Sequence, residues 1–235
     1  VTQRSSMWGE LFGGEASTDS IGQQLQMALA DPNVGSVVLH VDSPGGGVYG
    51  VAELAAEILK AREQKQIIAV ADSMAASAAY WIASAASQVV VTPGGDVGSV
   101  GVYAMHVEYS EALAKEGIKV TIAKAGKYKA EFNQAEPLTA EAGDYLQSMV
   151  DSTYTRFISA VAKGRGIGTG KVRNDFGQGR VMDADEALAA GMVDRVATFS
   201  EVVGKLTGSS KDGKRAEAEL ETLRLRHAYA KRKTV

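Results

Sequence analysis

Two apolar rhythms alternate along the chain. Ile21, Leu25, Ala28 and Leu29 recur at helical spacing behind a candidate cap at Asp19 or Ser20, so a helix is expected through Ala30. Asp31-Pro32-Asn33 stops it. Residues 36–41 are too short and too β-branched for a helix and read as a buried strand, with His40 inside it. The turn Ser43-Pro44-Gly45-Gly46-Gly47 then opens a helix over residues 48–62. The next strand is expected at 67–71 and the next helix, rich in alanine, at 75–86. Further strands are read at 88–92, 100–107 and 119–123, with a helix at 110–116 between the last two.

Strand and helix in alternation predict an α/β fold: a largely parallel sheet built from βαβ units with right-handed crossovers. From Thr139 the pattern turns helical. Thr139 resembles a cap, and Leu146, Met149, Tyr154, Phe157, Ile158 and Val161 follow at apolar positions. Residues 183–190 form a short helix stopped by Gly191. Beyond Ser209 the chain becomes charged, and 215–233 reads as a helix carrying Leu220, Leu223 and Tyr229, either a solvated tail or a partner helix. The expected division is therefore a domain at 1–208 and a charged tail at 209–235.

Composition narrows the classes. The chain of 235 residues is 45% hydrophobic and 23% charged, enough for one sizeable core. A net charge of −3 offers no electrostatic footprint for nucleic acid. With no cysteine, disulfides and thiolate metal sites are excluded, which fits a reducing, cytoplasmic setting. No apolar run reaches the length of a membrane span, and no signal peptide is read. No cofactor or metal motif is found.

Two strand-to-helix junctions carry candidate chemistry. The glycines of Ser43-Pro44-Gly45-Gly46-Gly47 allow close approach of backbone to a ligand and present free N–H groups, which suits an oxyanion hole as well as a plain turn. It is neither a P-loop nor a dinucleotide fingerprint. The second junction, Asp72-Ser73-Met74-Ala75-Ala76-Ser77-Ala78-Ala79-Tyr80-Trp81, offers Ser77 as a nucleophile, with Ser73 as its rival. A nucleophilic serine needs a base. His106 is one source, and the lysines of Lys124-Ala125-Gly126-Lys127-Tyr128-Lys129 are the other. A lysine works as a base only when neutral, which requires desolvation. Tyr128, Ala130 and Phe132 are the neighbours expected to supply it for Lys129.

In order, Ser43-Pro44-Gly45-Gly46, Ser73 to Trp81, Gly98-Ser99-Val100-Gly101 and Gly126-Lys127-Tyr128-Lys129 closely resemble the signal peptide peptidase A family, and within it phage head-maturation (capsid assembly) proteases. The segment from Asp183 to Asp194 is similar to the family's closing segment. The resemblance implies the Clp/crotonase-type fold, a helical C-terminal part and hydrolysis of peptide bonds. It assigns the nucleophile to Ser77, the general base to Lys129, a supporting hydroxyl to Ser99, and the oxyanion hole to the amides of Gly46, with Gly45 as neighbour, and Ala78. It further implies a polypeptide substrate and a homo-oligomer in which adjacent subunits can share the dyad. The membrane anchor of the family's cellular peptidases is not read in this sequence, a departure that favours a phage or prophage enzyme placed in the host cytoplasm or procapsid. The family usually has an opening strand before the first helix, which is not read here, so the expectation is either that it has been trimmed away or that another segment replaces it. A cellular signal-peptide-peptidase-like protease, a crotonase-type acyl-CoA enzyme and a proteolytically silent assembly protein are the alternative readings.

Overall fold

Ser17, rather than Asp19 or Ser20, caps the first helix in the computed structural model, which describes residues 1–3 and 16–208. Its hydroxyl accepts the Ser20 N–H at 3.1 Å, and α1 spans Thr18–Ala30. Strand β1 follows at Ser36–Ser43, α2 at Val51–Ala61 and β2 at Gln66–Ala76. Helix α2 buries Val51, Leu54, Ala55, Ile58 and Ala61, a stripe at helical spacing. Each large side chain in it contributes about 1.5–3 kcal/mol by leaving water. In β2, Ile67 to Ala71 are buried without alternation, as in a strand covered on both faces.

Strand β2 is the axis of a six-stranded sheet. It pairs in parallel with β1 along one edge (Ser36↔Gln66 to Val41↔Ala71). Along its other edge it pairs with β3 (Gln88–Val91) and, further on, with β4 (Asp96–Gly98). Strand β6 (Arg195–Val196) joins β3 in parallel, whereas β5 (Val181–Asp183) runs antiparallel to β4, so the sheet is mixed. The βαβ units and the helical C-terminal part are those expected.

The expected helix at 75–86 forms but is shortened at both ends. Pairing with β4 keeps Met74 to Ala76 extended, so α3 is confined to Ala78–Ala83, all of it buried. His40 also departs from expectation. It is exposed on β1, which is only partly buried because its one partner among the described strands is β2. Its Nε2 lies 2.8 Å from Asp72 Oδ2, and its ring meets Phe199 at 4.6 Å.

The chain divides into two compact units. The first comprises Val1–Gly101 and the described chain from Arg156 onward. Its C-terminal side contains α6 (Thr169–Asp175), α7 (Ala184–Ala190) and α8 (Phe199–Thr207). Helix α8 packs Phe199, Val202 and Val203 on Ile68, Val70 and Val90 of the sheet. Behind α3, Trp81 stacks on Phe157 at 4.6 Å and 7°. The Tyr80 hydroxyl donates to the Met192 carbonyl at 2.8 Å, and burial pushes its pKa far above the usual phenol range. The Arg165 guanidinium forms two bonds to Asp194, whose Oδ2 also accepts the Val89 N–H. These contacts clamp the segment after α7 against α3 and β3.

The second unit, Val102–Thr155, carries α4 (Ser110–Lys115) and most of α5 (Ala140–Arg165). Thr139 caps α5 as expected, its Oγ1 accepting the Ala142 N–H. The strands read at 100–107 and 119–123 do not form. Ala142 is the one buried residue of this unit, so its β-branched residues have neither a core to face nor a neighbouring strand to pair with. Among the described residues no helix is long and apolar enough to cross a membrane. The charged segment at 215–233 lies outside the described residues.

Candidate active site

Ser77 stands at the single residue between β2 and α3. The chain turns there within one residue, and Ser77 takes φ 53° and ψ −124°, a region L side chains rarely enter. Such strain costs about 1–3 kcal/mol and persists only where surrounding contacts over-determine it. Here they do. The Ser77 N–H donates to Gly98 O at 2.8 Å, and its carbonyl accepts the Trp81 N–H at 3.0 Å as the first turn of α3 begins. The side chain is half-buried between buried Ala76 and Ala78.

The glycine loop lies against this turn. Ser43 Oγ, at the end of β1, accepts the Gly45 N–H at 3.2 Å and folds the loop back. Gly45 is buried with φ 106°, and a Cβ on it would stand 2.7 Å from Ser77 Cβ, 2.8 Å from Ala76 O and 3.1 Å from Ala78 N. Only glycine fits. The Gly45 carbonyl accepts from the Val1 amino group at 2.7 Å, and Gly47 N–H donates to Val1 O at 3.1 Å. The Gly45 and Gly47 amides are therefore engaged. Among the described residues the Gly46 N–H has no partner, and neither has the Ala78 N–H, which opens α3 ahead of any intrahelical bond.

Ser99 lies beside Ser77. The paired positions Ala76 and Gly98 end β2 and β4, and Ser77 and Ser99 each follow by one residue. Ser99 also has positive φ, 52°, and its N–H donates to Arg180 O at 2.7 Å. Ser73 also has positive φ, 86°, but it is exposed within β2, with its N–H on Thr92 Oγ1. No glycine of the loop packs against it.

The first unit thus brings together Ser77, Gly45, Gly46, Ala78 and Ser99. Lys129 belongs to the second, where it is exposed. Its N–H donates to Gly126 O across a tight turn. Of the neighbours expected to shelter it, Tyr128 is 53% and Phe132 38% exposed. His106, the alternative base, has Nε2 2.9 Å from the Asn133 carbonyl. Among the described residues no group of three or more His, Asp or Glu could hold a metal ion. Sequence reasoning missed Ser43 as the loop's internal acceptor, though a hydroxyl two residues ahead of a glycine amide is a recognisable turn signal.

The matches to known proteins concern the family and the fold. The model of Peptidase family S49 matches residues 60–211. The head-tail preconnector protein GP5 of Enterobacteria phage P21 is 34% identical over 192 residues, 82% of this chain and 38% of the relative. The capsid assembly protease C of Escherichia phage lambda is 32% identical over 82% of this chain and 43% of its own length. A putative signal peptide peptidase SppA of Enterococcus faecium is 32% identical over 80% and 55%. The chain thus spans between 38% and 55% of the length of these relatives. Among solved structures, a mutant of the 1510-N membrane-bound stomatin-specific protease superposes with TM-score 0.50 at 17% identity, covering 80% of this chain and 76% of that one. A ClpP1 mutant from Listeria monocytogenes gives 0.50 at 14% over 83% and 86%, and both likenesses concern the fold alone. With the four motifs in order and the family model covering more than half its length, the chain belongs to Peptidase family S49.

Proposed function

We propose that residues 1–208 act as a serine endopeptidase through a Ser77–Lys129 dyad and an acyl-enzyme. The observation that carries this reading is the strained Ser77 junction with the Gly45 backbone packed on it. A hydroxyl is held at a half-buried corner beside two amides that lack other partners among the described residues, as in a nucleophile elbow.

Neutral Lys129 accepts the Ser77 proton while Oγ bonds to the scissile carbonyl carbon. The Gly46 and Ala78 amides donate to the oxyanion, each worth about two to three powers of ten in rate. As the C–N bond breaks, Lys129 returns the proton to the leaving amine. It then deprotonates the water that cleaves the ester, and Ser77 recovers its hydrogen. Ser99 Oγ bonds the lysine amine and keeps it on the nucleophile. The substrate lies extended along the glycine loop, held by main-chain hydrogen bonds. Likeness to the phage proteins supports a capsid or scaffold polypeptide as substrate, cut in the host cytoplasm or procapsid.

A lysine serves as a general base where water is excluded from it, and Lys129 is exposed, so it must be covered before it can act. The second unit leaves Tyr103 88% and Met105 77% exposed, surface suited to a second copy of this chain. In this reading the base is dried, and the dyad completed, in a homo-oligomer.

The test is cleavage of unfolded, fluorescently labelled casein by the full chain. Ser77→Ala and Lys129→Ala should each abolish it, and mixing the two inactive variants should restore part of the rate if copies share the dyad. Undiminished cleavage by either variant would sink the reading.

A further inference from the structure

Lys129 follows Lys127 and Tyr128 on a turn whose first residue, Gly126, has φ 95°. A single carboxylate holds both intervening side chains. Glu141 Oε1 accepts from Lys127 Nζ at 2.9 Å and from the Tyr128 hydroxyl at 3.0 Å. Lys127 Nζ also donates to the Tyr128 oxygen at 2.8 Å and lies 4.5 Å from the ring centroid. The triangle closes across thirteen to fourteen residues, tying the turn to the first turn of α5.

We propose that Glu141 is a positioning residue for the general base, anchoring Lys127 and Tyr128 to α5 so that Lys129 leaves the turn in one direction. The inference rests on the dyad reading above. Its physical reason is entropic. A lysine side chain has many rotamers to lose, and a base tethered to an unanchored turn adds backbone freedom to that. An isolated exposed ion pair would contribute little. Here two donors share one acceptor and are bonded to each other, and both belong to the residues immediately preceding the base. The hydrogen bonds from Lys127 and Tyr128 hold the Glu141 carboxyl below its ordinary range, so the anchor stays ionised wherever a lysine base is active. Glu141 touches neither Ser77 nor substrate in this role. It therefore affects how often Lys129 is correctly placed, and it leaves substrate binding unchanged.

The test compares Glu141→Ala, Glu141→Gln and Lys129→Ala in the full chain, with labelled casein as substrate and amide hydrogen exchange over residues 126–130 as a readout independent of turnover. Glu141→Ala should lower kcat about tenfold at unchanged KM, and exchange in the turn should quicken by a similar factor. Glu141→Gln, which still accepts from the Tyr128 hydroxyl, should recover part of both. Wild-type kcat in Glu141→Ala alongside an inactive Lys129→Ala overturns the positioning role and leaves the dyad standing. Unchanged exchange at 127–129 overturns it as well, whatever the rates. Full activity in Lys129→Ala removes the dyad itself, and the positioning role with it.

Discussion

Gly45 and Ser77 are in backbone contact so close that one methyl group on the glycine would lie 2.7 Å from the serine Cβ. Two strand ends, β1 and β2, are thereby locked to each other at the nucleophile. Gly45→Ala should either push the loop off Ser77 or force Ser77 from its turn, because the contacting atoms are two backbone atoms and a Cβ fixed to the backbone, none of which can yield cheaply. The expected loss is about 2–3 kcal/mol of stability together with at least a hundredfold in cleavage rate. Urea denaturation and casein turnover measure both, and a variant with wild-type rate would refute the close packing.

Ser77 itself should be a stability cost that the reaction requires. Glycine adopts φ 53° without a Cβ penalty, so Ser77→Gly should be inactive yet more stable than wild type by about 1 kcal/mol. The measurement is the shift in urea midpoint at constant slope. A midpoint lower than wild type would show that the serine side chain contributes more by its contacts than it loses by strain.

The Arg165–Asp194 pair gives the fold a pH dependence on its acid side. Partial burial raises the Asp194 carboxyl, but the hydrogen bonds from Arg165 and the Val89 N–H and the Arg165 charge outweigh it, so its folded pKa lies below the ordinary value. A depressed folded pKa means stabilisation that is present above about pH 4 and is lost as pH falls through the lower, folded value. Asp194→Asn should therefore be less stable than wild type by about 2 kcal/mol at pH 7. That gap should stay level down to about pH 5 and narrow below about pH 4. A gap constant down to pH 2 would contradict the assignment.

The exposed aromatic and aliphatic side chains of the second unit should report on assembly. Replacing Tyr103 and Met105 with serine removes large apolar surface without touching a buried residue. Sedimentation velocity should show a shift toward smaller species, with casein cleavage falling in parallel if the base needs a neighbouring copy to exclude water. An unchanged distribution would mean that these residues lie outside any interface between copies.

Several elements were legible because local chemistry and tertiary demand agree. The apolar stripe of α2, the Thr139 cap of α5 and the Gly191 stop of α7 are such cases. The alanine run after Ile67 misled for the opposite reason. Its helix propensity is high, yet Met74 to Ala76 stay extended because β4 offers them a ladder. Propensity is a weak prior against a pairing partner that lies twenty-two residues further along. Residues 100–107 and 119–123 failed in reverse, their β-branched content finding no strand to join. Among site residues, Ser77, Gly45, Gly46, Ala78 and Ser99 could be named from motif order. The shelter expected around Lys129 could not be judged, because solvation depends on what covers a surface and not on which residues flank it.

Sequence alone determined the alternation of strands and helices, the order of the four motifs and the membership that follows from them, since these depend on residue types and spacing along one dimension. Tertiary structure decided which serine takes the strained corner, which glycine is pressed against it and which glycine amide remains without a partner. Those are questions of distance between segments more than thirty residues apart, settled when β1 and β2 pair, with a shift of register between Val41 and Ser43, and bring Gly45 onto Ser77.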